Sequence, residues 1–333
     1  MLKTPRCFAL LFSVFVGVLC LSSADLVRAD DRKIAVSETV RVSLAHDGIN
    51  RSYLAYLPSR YDDSRAWPVV MMLHGGGGTG RAAARETGWI GKAEQKGFIA
   101  VFPEALPRNP NRRSRLAGNP QLWNDGSGRF HRHSDSLPDD VGFLNTVLDD
   151  LAARFTVDDA RIFVSGFSNG ASMAFHAGVE LQNRIAAIAP VSGAYWGESP
   201  PDMRFPVSVY YITGTADPLN PLQGGVPVLP FKSAAEQIPK PPVQVSVDKW
   251  VTALGCADTA SDAESPVEVK TILYQNCKGG TQVIFTSVAG LGHHWPGGRN
   301  FLPEKIAGPG RTYRDFDATD EIWTFFSKNM RTP

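Results

Sequence analysis

Apolar positions along this chain fall into short runs with two different rhythms. Val40-Arg41-Val42-Ser43-Leu44 alternates apolar and polar, and Tyr53-Leu54-Ala55-Tyr56-Leu57 is a second strand-like run. Together they predict a leading antiparallel hairpin. Val69-Val70-Met71-Met72-Leu73 is apolar throughout, as is Phe98-Ile99-Ala100-Val101-Phe102 before Pro103. Continuous runs of this kind predict strands buried on both faces. Leu144, Val147, Leu148, Leu151 and Phe155 then recur at helical spacing, with Asp139 or Asp140 as the cap. Further strands are predicted over 161–165, 186–190, 207–213, 267–274 and 283–288, and helices over 171–181, 243–254 and 317–330. Residues 104–138 and 218–242 are rich in Pro, Gly, Asn or Arg and lack a rhythm, so they read as long loops, which are often functional. Alternating β and α elements predict an α/β chain. Its central sheet is expected to be mostly parallel, with helices on both faces and an antiparallel N-terminal edge. No repeat and no linker divides residues 30–333, so one domain is expected.

The first residues have a different character. Lys3 and Arg6 precede an apolar stretch over 8–21, which falls short of the ~20 residues a membrane span needs. Small residues follow at Ser22-Ser23-Ala24 and Val27-Arg28-Ala29. Residues 1–29 therefore read as a secretory signal peptide rather than an anchor, and Leu19 is too large for a lipoprotein site at Cys20. Export to the periplasm or the medium follows, with no stable membrane association once the signal is removed. Export also changes the cysteines. Cys7 and Cys20 leave with the signal, and Cys256 and Cys277 remain as an even pair in an oxidising compartment, so they are expected to form a disulfide. The composition, 43% hydrophobic and 20% charged, is that of an ordinary globular chain. A net charge of +1 supplies no field that favours nucleic acid. Neither a CxxC pair nor a Cys/His ligand spacing occurs, so no metal site is expected.

Candidate chemistry lies at the strand ends. Gly166-Phe167-Ser168-Asn169-Gly170 is G-x-S-x-G, which about one chain in ten of this length would contain by chance. Its position between a predicted strand and an Ala-rich helix is what a nucleophile elbow requires. Gly166 and Gly170 would allow close strand–helix packing, and the helix N-terminus would add positive potential beneath Ser168. Asp217 follows the strand that ends near Thr213, a location that Asp248 and Asp258 do not share. His293 and His294 are adjacent after the last strand, and spacing alone does not choose between them. Ser, Asp and His in this order are the α/β-hydrolase order. After the strand that ends at Leu73, His74 is followed by four glycines, and the N–H of Gly76 with that of Asn169 would form an oxyanion hole.

Five blocks resemble the secreted polyhydroxybutyrate depolymerase and feruloyl esterase group of α/β-hydrolases. They are Leu73-His74-Gly75-Gly76-Gly77-Gly78, Asp139-Asp140-Val141-Gly142-Phe143-Leu144, Gly166-Phe167-Ser168-Asn169-Gly170, Gly214-Thr215-Ala216-Asp217, and Gly292-His293 with Trp295-Pro296-Gly297-Gly298. The likeness spans residues 40–330. It implies an α/β-hydrolase fold, selects His293 as the base, and matches Cys256 and Cys277 to a bonded pair of the family. It also implies hydrolysis of an ester, either a polyhydroxybutyrate-type polyester or its oligomers, or feruloyl or acetyl esters of plant polysaccharide. This chemistry needs no cofactor. Leu291 interrupts what is often a glycine run, and the cysteines many relatives carry near Trp123-Asn124 are missing. Trp123, Trp295 and His294 are expected to face the substrate, and Arg108, Arg112, Arg113 and Arg115 to lie on a solvated loop. A serine peptidase of the same fold, or an inactive binding protein, is the alternative reading.

Overall fold

The computed structural model describes residues 38–115, 118–128, 137–228, 238–257, 260–262 and 268–331. The signal-peptide reading of residues 1–29 and part of the 104–138 loop lie outside the described residues. Strands β1 (Thr39–His46) and β2 (Ile49–Tyr56) form the expected hairpin, turning through Asp47 and Gly48. β3 (Trp67–Leu73), β4 (Ile99–Pro103), β5 (Val157–Phe167), β6 (Ala187–Val191), β7 (Ser208–Gly214), β8 (Ala260–Asp262), β9 (Val269–Tyr274) and β10 (Val283–Val288) complete a 10-stranded sheet. Its order is β1-β2-β4-β3-β5-β6-β7-β10-β9-β8. The central strands from β4 to β10 run parallel. β2 is antiparallel to β4 at one side, and β9 and β8 add a second antiparallel edge that the sequence pattern did not suggest.

Both faces are covered, and β3 shows how. Val69, Met71 and Leu73 join one core with helices α3 (Asp140–Arg154), α4 (Asn169–Glu180) and α5 (Val243–Leu254). Val70 and Met72 join the other with α1 (Gly80–Thr87), α2 (Trp89–Lys96) and α7 (Ala318–Phe326). A strand apolar at every position is therefore one that feeds two cores. Asp139 caps α3, accepting from Gly142 N–H at 2.8 Å, and Asp317 caps α7, accepting from Thr319 N–H at 2.9 Å. The helices α1 and α2 bury few large side chains, Trp89 being the main one, so they leave no clear rhythm in the sequence. Gly88, at φ 75°, ends the first and begins the second. A short helix, α6 (Glu304–Ala307), lies in the loop between β10 and α7.

Cys256, just past the end of α5, is bonded to Cys277, just past β9, across a sequence separation of 21. Closing a loop of that length removes about 3 kcal/mol of conformational freedom from the unfolded chain. Replacing both cysteines by serine is expected to lower the free energy of urea unfolding by about that amount. Equal urea midpoints for the two proteins would refute it.

Candidate active site

The carboxyl ends of β3, β5, β7 and β10 meet at one rim of the sheet. Register sets them level: Leu73 pairs with Gly166, Val191 with Ile212, and Val288 with Gly214. Ligand sites in open parallel sheets form at this edge, because the chain must leave each strand there.

After β5 the chain turns abruptly into α4. Ser168 sits at the turn with φ 57° and ψ −117°, a backbone state that costs a non-glycine residue about 1–3 kcal/mol. Hydrogen bonds on both sides hold it. Its N–H donates to Val191 O at 2.9 Å, and its carbonyl accepts from Ala171 and Ser172 N–H at 3.0 and 3.1 Å. Three glycines permit the turn. A Cβ on Gly166 would stand 2.1 Å from Gly170 O, one on Gly170 would stand 2.2 Å from Leu73 O, and one on Gly193 would stand 2.7 Å from Ser168 O. The serine side chain remains half-buried, at the positive end of α4.

Asp217 and His293 come from the neighbouring strand ends. His293 Nδ1 lies 2.7 Å from Asp217 Oδ2, and their side chains are 2% and 0% exposed. With Nδ1–H donated to the carboxylate, Nε2 carries the lone pair. The other carboxylate oxygen accepts from Leu219 N–H at 2.8 Å and Asn220 N–H at 2.7 Å. Burial would raise the Asp217 pKa, but His293, Lys240 and the Asn220 amide outweigh it and hold the group below the usual carboxylate range. His293 N–H donates to Ala307 O at 2.5 Å, and its ring packs on Phe167 at 4.8 Å between centroids. The imidazole therefore lies against the residue that immediately precedes Ser168.

The glycine loop after β3 flanks the elbow. A Cβ on Gly75 would sit 3.4 Å from Ser168 Cβ, and one on Gly76 would sit 3.6 Å from Asn169 Cβ. Gly77 N–H donates to Gln121 O and Gly78 N–H to Gly75 O, so those two are committed within the loop. Gly76 stands beside the first turn of α4, where the Asn169 N–H has no helical acceptor. His74 holds this loop down. Its Nε2 accepts from Ala105 N–H at 3.1 Å, so Nδ1 carries the proton and donates to Gly75 O at 2.8 Å. The Asn169 side chain braces the other side, accepting from Trp123 N–H at 2.8 Å and donating to Asp125 Oδ2 at 3.0 Å.

Three expected substrate contacts are corrected by burial. Trp123 is 0% exposed and donates Nε1–H to His74 O, which makes it a floor for the glycine loop. Trp295 is also 0% exposed, donates to Thr319 Oγ1 at 3.0 Å and packs edge-on against Phe167. His294 is buried, with Nε2 against Gly308 O at 3.0 Å. Interior location lowers its pKa, opposed by that carbonyl. An apolar aromatic in a loop motif does not reveal which of its faces is covered, and here all are. Arg108, Arg112, Arg113 and Arg115 are exposed, as expected. A polar cleft of about 370 Å³ opens beside Glu104 and Gln121, and Ser168, Asp217 and His293 do not line it.

Sequence reasoning missed the support behind Asp217. Asn220 donates to Tyr211 OH at 3.1 Å and Thr213 Oγ1 at 3.3 Å, and accepts from the buried Lys240 at 2.8 Å. Asn220 follows Asp217 by three residues, but Lys240 arrives from beyond a long loop and carries no local signal.

A family model described as phospholipase/carboxylesterase matches residues 61–236. NocK of Nocardia uniformis subsp. tsuyamanensis, a protein whose name describes it as an esterase, is 29% identical over 274 residues, spanning 78% of this chain and 73% of its own length. Feruloyl esterase B of Piromyces equi is 29% identical over 252 residues, 73% of this chain, but the chain spans only 42% of that protein. The acetyl xylan esterase from Aspergillus awamori superposes with a TM-score of 0.53 at 14% identity, over 77% of this chain and 94% of that one. That likeness is one of fold, and the fold is that of the α/β-hydrolases.

The site's titration has a consequence for stability. Burial drives the His74 pKa below its ordinary value, against the pull of Gly75 O and Glu104. Folded His74 thus stays neutral where the unfolded chain takes up a proton. Its contribution is fully present above about pH 6.5 and is lost as pH falls through the depressed folded value. Asp217 acts with the same sign in a lower window, present above about pH 4 and lost below it. His74 thus tilts the urea midpoint downward from about pH 7 to pH 5, against Glu86, whose buried carboxyl is pushed up to about 7 and acts with the opposite sign. His74→Gln, which keeps an acceptor near Ala105 N–H, should remove the His74 part of that slope. An unchanged slope in the variant would exclude His74 as its source.

Proposed function

The chain belongs to the phospholipase/carboxylesterase family, and on that premise we propose that it is a secreted serine esterase that forms an acyl-enzyme on Ser168. Family membership makes it a carboxylic ester hydrolase. The observation that supports the finer reading is the dry Asp217–His293 pair at 2.7 Å, packed on Phe167 beside a serine held at φ 57°. In the proposed cycle His293 Nε2 takes the Ser168 hydroxyl proton as the oxygen attacks the ester carbonyl. Asp217 fixes the imidazole tautomer and stabilises the imidazolium. The N–H groups of Gly76 and Asn169 receive the oxyanion, in a site where fixed dipoles act at low dielectric. The imidazolium returns its proton to the leaving alcohol, and water repeats the sequence on the acyl-enzyme.

For substrate class, feruloyl or acetyl esters of plant polysaccharide are preferred over hydroxybutyrate-type polyester or its oligomers. The support is the naming of the Piromyces relative, and of a Neocallimastix patriciarum relative 25% identical over 181 residues, for those esters. Secretion is supported by the Cys256–Cys277 disulfide, a bond that persists in oxidising compartments.

Ser168→Ala is expected to lower turnover by roughly 10⁴–10⁶-fold, and a fluorophosphonate probe should label the parent protein and not the variant. Near-normal hydrolysis by the variant would sink the assignment. A panel of methyl ferulate, acetylated xylan, hydroxybutyrate oligomers, p-nitrophenyl esters and a peptide should show the highest kcat/KM on one of the first two. Turnover of the peptide above all esters would instead indicate a peptidase. Asp217→Asn should keep its amide bonds to Leu219 and Asn220 yet set the wrong imidazole tautomer, lowering kcat by about 10⁴-fold with an unchanged circular dichroism spectrum.

A further inference from the structure

At the N-terminal end of α3, the fold gathers three ligand-type side chains from two distant parts of the chain. His46 ends β1, Asp47 forms the hairpin turn, and Asp139 caps α3. One potential metal-ligating atom from each lies within 4.8 Å of those from the other two. We infer that they form a three-ligand site for a borderline divalent cation of the Zn²⁺ class, with water in the fourth position.

Neighbouring groups orient the His46 ring. Its Nδ1 lies 3.1 Å from Thr146 Oγ1, and that hydroxyl donates its own proton to Gly142 O at 2.9 Å. Thr146 therefore accepts from His46 and Nδ1 carries a proton, which leaves Nε2 as the ring atom free to ligate. Nε2 is completely buried and has no hydrogen-bond partner. It faces Asp139 Oδ2 at 3.3 Å and Asp47 Oδ2 at 3.6 Å. Two carboxylates set against this nitrogen call for positive charge there, supplied either by a proton on Nε2 or by a cation among the three groups. Neither carboxylate forms an ion pair with a lysine or arginine among the described residues.

The donor set identifies the class of cation: an imidazole nitrogen with two carboxylates suits Zn²⁺, whereas Ca²⁺ and Mg²⁺ take oxygen ligands. Zinc binds imidazole nitrogen and carboxylate oxygen at about 2.0–2.1 Å in a tetrahedron, whose edges are then about 3.3–3.4 Å. The two separations from Nε2, 3.3 and 3.6 Å, are compatible with such edges. Asp139 is divided suitably: Oδ1 caps the helix through Gly142 N–H, which leaves Oδ2 for a metal. Glycine at 142 keeps the space open, because a Cβ there would stand 2.0 Å from Asp139 Oδ2 and 2.9 Å from His46 Cε1. Thr146 supplies the outer hydrogen bond that commonly fixes a ligating histidine. Asp47 and Asp139 have side chains 66% and 52% exposed, which gives the ion a path from solvent. A bound ion would tie the N-terminal hairpin to α3.

The test is zinc binding by the full chain after stripping with a chelator, read by competition with a chromophoric chelator and by thermal melting. One equivalent of Zn²⁺ should bind and raise the Tm, while Ca²⁺ and Mg²⁺, which prefer more oxygen ligands, should not at equal concentration. Asp47→Asn and Asp139→Asn are conservative for the backbone, since asparagine tolerates positive φ and caps helices. Each should weaken zinc at least about 10-fold, as should His46→Gln, with unchanged circular dichroism. Co²⁺ in the parent protein should give the visible absorption of a tetrahedral centre and should lose it in His46→Gln. Failure of the parent to bind zinc would overturn the proposal and leave a proton on Nε2 as the only occupant. Equal binding by all three variants would place the ion elsewhere and overturn it as well.

Discussion

The constraint on which the site depends is the approach of two backbones at the end of β5. The chain must pass from a buried central strand into a helix packed directly above it, and the two come within contact at Gly166 and Gly170. A side chain at either position would overlap a carbonyl by more than packing can absorb. The resulting geometry forces Ser168 into a positive-φ state, and neighbouring elements over-determine it. β6 contributes the Val191 carbonyl, α4 contributes two amides, and the turn after β6 passes close enough that only Gly193 fits. The strain of a few kcal/mol is small beside the two cores that fix the sheet. A strained turn of this kind persists only on such a rigid base.

The second determinant is desolvation. Asp217 and His293 are removed from water, and taking a carboxylate out of water costs several kcal/mol even after relaxation. The neighbourhood offsets this by directing groups at both oxygens: an imidazole at one, two backbone amides at the other, and Lys240 behind Asn220. The net direction is a carboxylate held ionised, which is the state that can keep a histidine in one tautomer. The same burial acts oppositely on His74 and His294, which are held neutral. Three buried histidines are therefore set to different tasks by the partner each ring meets.

Most of this frame was legible in the sequence, and the reasons are local. The β3 segment is apolar at every position because it feeds both cores, and α3 announces itself by a capping aspartate and a helical stripe. Ser168, Asp217 and His293 could be ordered because strand ends dictate where each falls. What the sequence hid was non-local. α1 and α2 present little apolar surface, and β9 gave no hint that it runs antiparallel to β10. Trp123 and Trp295 resemble substrate platforms in a motif, yet hydrogen bonds to His74 and Thr319 turn both inward. His46 and Asp139 are separated by three strands, two helices and a long loop, so no spacing rule could have joined them.

The loop after β4 is joined to the proposed oxyanion donors. Glu104 and Ala105 begin it, Gln121 to Asp125 lie in its second half, and both stretches hold the machinery. Ala105 N–H fixes His74, Gln121 O fixes Gly77, and Trp123 with Asp125 grips the side chain of Asn169. Asn124 N–H reaches Asp140, which is bound at 2.6 Å to the buried Arg51. A segment of this composition would ordinarily be free to vary, since surface loops tolerate change well. Here the arginine-bearing part is exposed and tied within itself by Asn119, which accepts from Asn109 N–H and donates to the carbonyls of Asn109 and Arg112, while the flanking stretches are tied to the site. Changes at the flanks must act on the glycine loop and the first turn of α4, whereas changes among the arginines act first on the loop's own hydrogen bonds, and the boundary falls where bonds to His74, Gly77 and Asn169 begin.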